Sequence, residues 1–148
     1  MVELAGARIY LDANAFIAYA EDYPQFGSAL ENLFRNLETN DIEIVTSELK
    51  VAELLVAPLR ERRNDLVQEY EELTAPRPNF RRIPVSLGIL RLSAQMRAHL
   101  GLKLPDAIHV ATGTAEGCKI MVSEDARLRV PAPMVLCRVA DLDTGGRP

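Results

Sequence analysis

Short apolar runs alternate along the chain with longer stretches in which apolar residues recur every three or four positions. Ile9-Tyr10-Leu11 is the first run. It predicts a buried strand over residues 8–12, followed by a helix over 14–22 that carries Ala15, Phe16, Ile17 and Tyr19. Tyr23-Pro24 breaks that pattern. Ala29, Leu30, Leu33, Phe34 and Leu37 then mark a helix over about 25–39, and Asn40-Asp41 is a turn signal. Glu43-Ile44-Val45-Thr46 is a second strand. Ser47 is placed to cap the next helix, with Glu48 in its first turn; that helix passes through Val51, Leu54 and Leu55 to about Pro58. A charged helix with Leu66, Val67, Tyr70 and Leu73 on one stripe follows, then a loop over 74–79.

Arg82-Ile83-Pro84-Val85 reads as a strand whose proline places it at a sheet edge. Ser86 caps a helix with Ile89, Leu90, Ser93, Met96, Arg97 and Leu100 on its stripe, and Gly101 stands where a helix-ending glycine belongs. Lys103-Leu104-Pro105-Asp106 opens another helix, with Pro105 near its first position and its end around Gly117. Strands over 119–122 and 134–137 complete the chain. Strands that alternate with helices in this way predict a mostly parallel sheet covered on both faces.

Composition narrows the picture. At 148 residues the chain is expected to form one domain over 1–142, with 143–148 as a flexible polar tail. Its net charge of −4 argues against binding nucleic acid through overall positive charge, though a local basic strip beside an acidic site stays open. No apolar stretch is long enough for a membrane span, and the N-terminus lacks the pattern of a signal peptide, so a cytoplasmic location is expected. Cys118 and Cys137 belong to no C-x-x-C pair; on parallel strands their offset would separate the sulfurs by roughly 10 Å, too far for a disulfide. Both are expected to be reduced, partly buried thiols.

Four carboxylates stand out against this frame. Asp12 and Asp125 follow predicted strands, at the edge where open α/β sheets bind ligands. Glu53 is the one charge in Val51-Ala52-Glu53-Leu54-Leu55-Val56-Ala57, and Asp106 heads the apolar Ala107-Ile108-His109-Val110-Ala111. Three of them have a local alternative: a helix flank facing water for Glu53, a first-turn acid for Asp106, a turn aspartate for Asp125. Together they suggest a common site, because grouped carboxylates repel unless protonated or bound to cations. Such oxygens suit Mg²⁺ or Mn²⁺, which can activate water and hold phosphate oxygens. Asn14 and Ser123 could orient ligands or serve as turn and cap residues. His99 and His109 lack a metal-ligand frame, and His109 is expected to be a structural histidine. No G-x-S-x-G or Cys–His frame supplies a covalent nucleophile.

Tyr-Leu-Asp-Ala-Asn-Ala-Phe-Ile-Ala-Tyr at 10–19 resembles the opening motif of PIN-domain nucleases. The second motif is matched at 46–54 and ends its acid on Glu53. The third is matched closely at 102–112 with Asp106, and the fourth at 122–125 with Asp125. The resemblance covers essentially the whole chain. It implies a three-layer α/β/α fold with a five-stranded parallel sheet, and metal-dependent cleavage of RNA. Asp12 and Asp106 would be the primary ligands of Mg²⁺ or Mn²⁺, with Glu53 and Asp125 completing the site. A lone PIN domain of this size looks most like a VapC-type toxin, a homodimer silenced by a cognate antitoxin. One departure is Glu124, where the family usually has asparagine; it adds negative charge at the mouth and is expected to be solvated.

RNA would need basic residues around the acids. Arg60, Arg62, Arg63, Arg77, Arg81, Arg82, Arg127 and Arg129 are the candidates, although Arg60–Arg63 also read as a solvated helix face. Rival readings are a phosphatase or phosphoacceptor using Asp12, a silent PIN-like protein-binding module, and a stand-alone RNA-processing nuclease. The first lacks the second acid such chemistry places two residues away, because Asn14 stands there.

Overall fold

The chain is seen as a computed structural model, described over residues 2–3, 6–21, 27–39 and 41–143. In chain order its elements are β1 (Val2–Glu3), β2 (Arg8–Leu11), α1 (Ala13–Ala20), α2 (Gly27–Glu38), β3 (Glu43–Ser47), α3 (Glu48–Arg60), α4 (Asn64–Thr74) and β4 (Phe80–Ile83). They continue with α5 (Leu87–Leu100), α6 (Leu104–Ala115), β5 (Ile120–Val122), β6 (Val135–Cys137), a 3-10 turn over Val139–Asp141 and β7 (Leu142–Asp143).

Alternation along β2 decides the layering. Successive strand residues point to opposite faces, so Ile9 and Leu11 share one face and Tyr10 takes the other; all three are fully buried. β2 pairs in parallel with β3 on one side, Tyr10 opposite Val45, and with β5 on the other, Tyr10 opposite Met121. The five-stranded sheet has the order β4-β3-β2-β5-β6 and every pairing in it is parallel. One core gathers Ile9, Leu11, Ile44, Phe80 and Val122 against Phe16 of α1, Leu33 of α2 and Tyr70 of α4. The second joins Tyr10, Val45 and Met121 to Ile89 and Met96 of α5 and Ile108 and Ala111 of α6. This is the expected α/β/α sandwich, and burial on both faces is why its strands read as apolar runs rather than as alternating ones.

Most boundaries follow from local chemistry. The Ser47 side chain accepts from Leu49 N, and the Ser86 side chain from Ile89 N, as their cap positions predict. Gly101 has φ of 68° and ends α5, donating to the Arg97 carbonyl. Gly113 brings α6 close to the sheet: a Cβ there would lie 3.3 Å from Met134 Sδ and 3.5 Å from Tyr10 Cβ.

Three differences are informative. β4 begins at Phe80 rather than at residue 82, because Phe80 pairs opposite Ile44 and packs its ring edge-on against Phe16; Pro84 lies just beyond this edge strand. α3 runs through Pro58 to Arg60, with Pro58 buried, and closes where Glu61 N donates to the Ala57 carbonyl. Asp143, assigned to the tail, instead pairs with Glu3 in a two-stranded parallel ladder that the sequence pattern does not reveal. Tyr23-Pro24, the predicted start of the second helix, Asn40 and residues 144–148 lie outside the described residues. Both cysteines are free and buried; burial pushes the Cys118 thiol up to about 12. Among the described residues, no helix is long and apolar enough to cross a membrane.

Candidate active site

Helices that connect parallel strands run back across the sheet, so their N-termini return to the edge where the strands end. Asp12 stands at that edge. Its N–H donates to the Val122 carbonyl at 3.1 Å, which ties the ends of β2 and β5 together. Its side chain caps α1, with Oδ1 accepting from Ala13 N at 2.7 Å.

The same Oδ1 also meets a cation. Lys50, in the first turn of α3, places its Nζ 2.7 Å from Asp12 Oδ1 and 3.4 Å from Glu53 Oε1, and its side chain is only 2% exposed. A buried ammonium is costly unless paired, and here two carboxylates pair it. On the other side of Asp12, Ser123 Oγ donates to Oδ2 at 3.2 Å, while Asp125 N donates to Ser123 Oγ at 3.1 Å.

Glu53 reaches the opposite way, to His109 on α6, where Oε1 lies 2.6 Å from Nε2. A carboxylate can only accept, so Nε2 carries the proton. Nδ1 then accepts from the Tyr10 hydroxyl, which rises from the sheet face that α6 covers. Burial pushes the Tyr10 phenol well above its usual value, and the charges of Asp12 and Glu53 push it the same way, so it stays a donor. Burial alone would raise Asp12, yet the Lys50 ammonium, its hydrogen bond and Ala13 N bring the carboxyl below its ordinary value. Glu53 is lowered chiefly by its hydrogen bond from His109, and also by Lys50. The result is a continuous chain, Ser123–Asp12–Lys50–Glu53–His109–Tyr10, drawn from β2, α3, α6 and the end of β5.

The four predicted acids are therefore not equivalent. Asp12 and Glu53 share one cation. Asp106 lies in the first turn of α6, three residues before His109 and so on the same helix face, half-buried. Among the described residues its carboxylate makes no hydrogen bond or ion pair. Asp125 is half-exposed, accepts from Arg127 N and faces Arg127 Nε at 3.6 Å, so it acts as the turn aspartate its alternative reading describes; it reaches Asp12 only through Ser123. No three Asp, Glu, His or Cys side chains are gathered closely enough to hold an ion among the described residues. The donor chemistry nonetheless fits a hard divalent cation: the set is all carboxylate oxygen, and Lys50 already shows that Asp12 and Glu53 together require positive charge.

Several roles differ from expectation. Glu124 is not simply solvated: its Oε1 accepts from Val139 N at 2.9 Å and satisfies a free N–H at the start of the 3-10 turn. His109 is buried, as a structural histidine would be, but it also holds a site carboxylate. Lys50 was missed; the available signal was a base three residues before Glu53 inside an otherwise apolar stretch. Asn14 is exposed. Of the arginines, Arg77 lies 4.1 Å over the Phe80 ring and donates to the Leu73 and Ala75 carbonyls, Arg81 pairs with Glu116 at 2.7 Å, and Arg63 pairs with Asp65. The first two serve the fold, while the Arg63–Asp65 pair is exposed to solvent. Arg60, Arg62, Arg82 and Arg129 make no ion pair among the described residues.

The Tyr10 contact can be weighed. Tyr10→Phe leaves Nδ1 of a buried histidine without its donor, which is expected to cost about 1–3 kcal/mol. Urea unfolding would register this as a lower midpoint at unchanged slope.

This strand order, with acids just past the ends of β2 and β5 and in the N-terminal halves of α3 and α6, makes a three-layer α/β domain with its carboxylates toward one sheet edge. The PIN domain model matches residues 9–132, and the chain belongs to the PIN domain family, whose members are generally divalent-metal nucleases. Solved structures share the fold. VapBC2 from Rickettsia felis, bound to a DNA fragment from its promoter, aligns with a TM-score of 0.71 at 14% identity over 88% of this chain and 98% of that one. DNA-bound VapBC from Salmonella typhimurium aligns at 0.66 and 16% identity, over 90% and 98%. VapC20 from Mycobacterium tuberculosis, a Sarcin-Ricin loop cleaving toxin, aligns at 0.57 and 12% identity, over 76% and 86%. No curated protein matches the sequence.

Proposed function

We propose that this chain is a divalent-metal-dependent endoribonuclease of the VapC type, the toxin of a toxin–antitoxin pair, with residues up to Asp143 forming the nuclease domain. The observation that carries the reading is the placement of Asp12, held between Lys50 and Ser123, at the strand-end edge of a PIN sheet. VapBC assemblies among the similar folds support an antitoxin partner, and the Sarcin-Ricin loop cleaving toxin supports RNA as substrate. A homodimer and a cytoplasmic location complete the reading.

Asp12 and Asp106 would hold Mg²⁺ or Mn²⁺, with Glu53 and Asp125 completing the set through water. The ion's chemistry is to polarise the phosphate and make water a competent nucleophile near neutral pH. The chain's own residues prepare that chemistry. Ser123 and Lys50 fix the Asp12 carboxylate from both sides, and His109, fixed in turn by Tyr10, aims Glu53.

Purified protein incubated with structured RNA should cut it in Mg²⁺ or Mn²⁺ and stop when EDTA is added. Cleavage that continues in EDTA would overturn the reading.

A further inference from the structure

The geometry points to Lys50 as a tethered counter-ion: it holds Asp12 and Glu53 together in the ion-free protein and must give way when a divalent ion takes those carboxylates. This inference rests on the nuclease reading and adds to it a residue that sets how tightly the ion binds.

Asp12 is already well occupied. Oδ1 accepts from Ala13 N and from Lys50 Nζ, both at 2.7 Å, and Oδ2 accepts from Ser123 Oγ. Little of the carboxylate is left unused. Lys50 also lies 3.4 Å from Glu53 Oε1, so a single ammonium neutralises the two acids that face each other between β2 and α3. An ion that drew on both carboxylates would compete for the space and the charge that Lys50 occupies.

A role for Lys50 as a phosphate-binding residue fits less well. Its side chain is 2% exposed and its ammonium is committed to two carboxylates, so a substrate phosphate has no path to it in this arrangement. The side chain is nevertheless long and unbranched, and an ammonium on four methylenes can swing aside without moving the helix. A guanidinium is bulkier and would keep the charge in place.

The test compares wild type, Lys50→Met and Lys50→Arg. Mn²⁺ binding is read from the electron paramagnetic resonance signal of free Mn²⁺, and thermal unfolding is followed with EDTA and with Mn²⁺. Removing a unit positive charge in contact with the acids should tighten Mn²⁺ binding in Lys50→Met by roughly tenfold or more. In EDTA this variant should unfold at a lower temperature than wild type, and Mn²⁺ should raise its midpoint by more than it raises that of wild type. Lys50→Arg should bind Mn²⁺ no more tightly than wild type; this arm stands if Lys50→Met proves too unstable in EDTA to measure. Lys50→Met binding Mn²⁺ with wild-type affinity or weaker, or Lys50→Arg binding it tenfold tighter, would overturn the counter-ion role while leaving the nuclease reading intact. Failure of all three proteins to bind Mn²⁺ would overturn both.

Discussion

Asp12→Asn is expected to lose RNA cleavage by roughly three orders of magnitude, since an ion and its activated water are worth several kcal/mol in the transition state. It should also destabilise the protein. The substitution leaves a 2% exposed ammonium without its nearer counter-charge, and breaking one side of a buried pair costs about 3 kcal/mol or more. Lys50 keeps Glu53 at 3.4 Å, which puts the loss at the lower end of that range. For a chain of this size, about 3 kcal/mol corresponds to a fall in melting temperature of roughly 10 °C. Calorimetry beside a cleavage assay checks both halves. A variant that stayed active, or one that melted with wild type, would contradict the position given to Asp12 here.

Asp106→Asn is the contrasting case. It should lose cleavage to a similar degree, roughly 10³-fold, by the same argument from ion chemistry. Its stability should change little. Among the described residues its carboxylate has no hydrogen bond or ion pair, and its one favourable term is the first turn of α6, worth about 1 kcal/mol or less. Two acids of one site are thus expected to separate: Asp12 is needed for fold and reaction, Asp106 for reaction alone. Equal melting temperatures for Asp106→Asn and wild type, with cleavage abolished, would show an acid kept for chemistry. A drop as large as that of Asp12→Asn would mean that Asp106 holds a structural partner.

The layering was legible in the sequence because it is written in local periods. Ile9-Tyr10-Leu11 is apolar throughout because both of its faces are covered, and Ser47, Ser86 and Gly101 announce their helix ends through chemistry that reaches only two to four residues. The acids were legible as charges out of place. Their partners were not. Lys50 meets Asp12 across 38 residues of chain, Glu53 meets His109 across 56, and Tyr10 meets His109 across 99. No local period carries such pairings; they exist only once α3 and α6 have been laid beside β2. Before folding, Lys50 reads as one more helix base and Tyr10 as one more core ring. The β1–β7 ladder is illegible for a similar reason, since two-residue strands at distant positions leave no pattern of alternation to count.

The close seating of α6 ties the candidate site to a packing contact one helical turn away. A Cβ at Gly113 would stand 3.3 Å from Met134 Sδ, 3.4 Å from Met121 Cε and 3.5 Å from Tyr10 Cβ, so the glycine leaves almost no more than the room of one methyl. His109 stands one turn back along the same rod and reaches Glu53 from there. A single methyl there would press on two pliant thioether ends, which must give by a few tenths of an ångström to admit it, so the hold on Glu53 has an uncharged neighbour that no electrostatic map would flag.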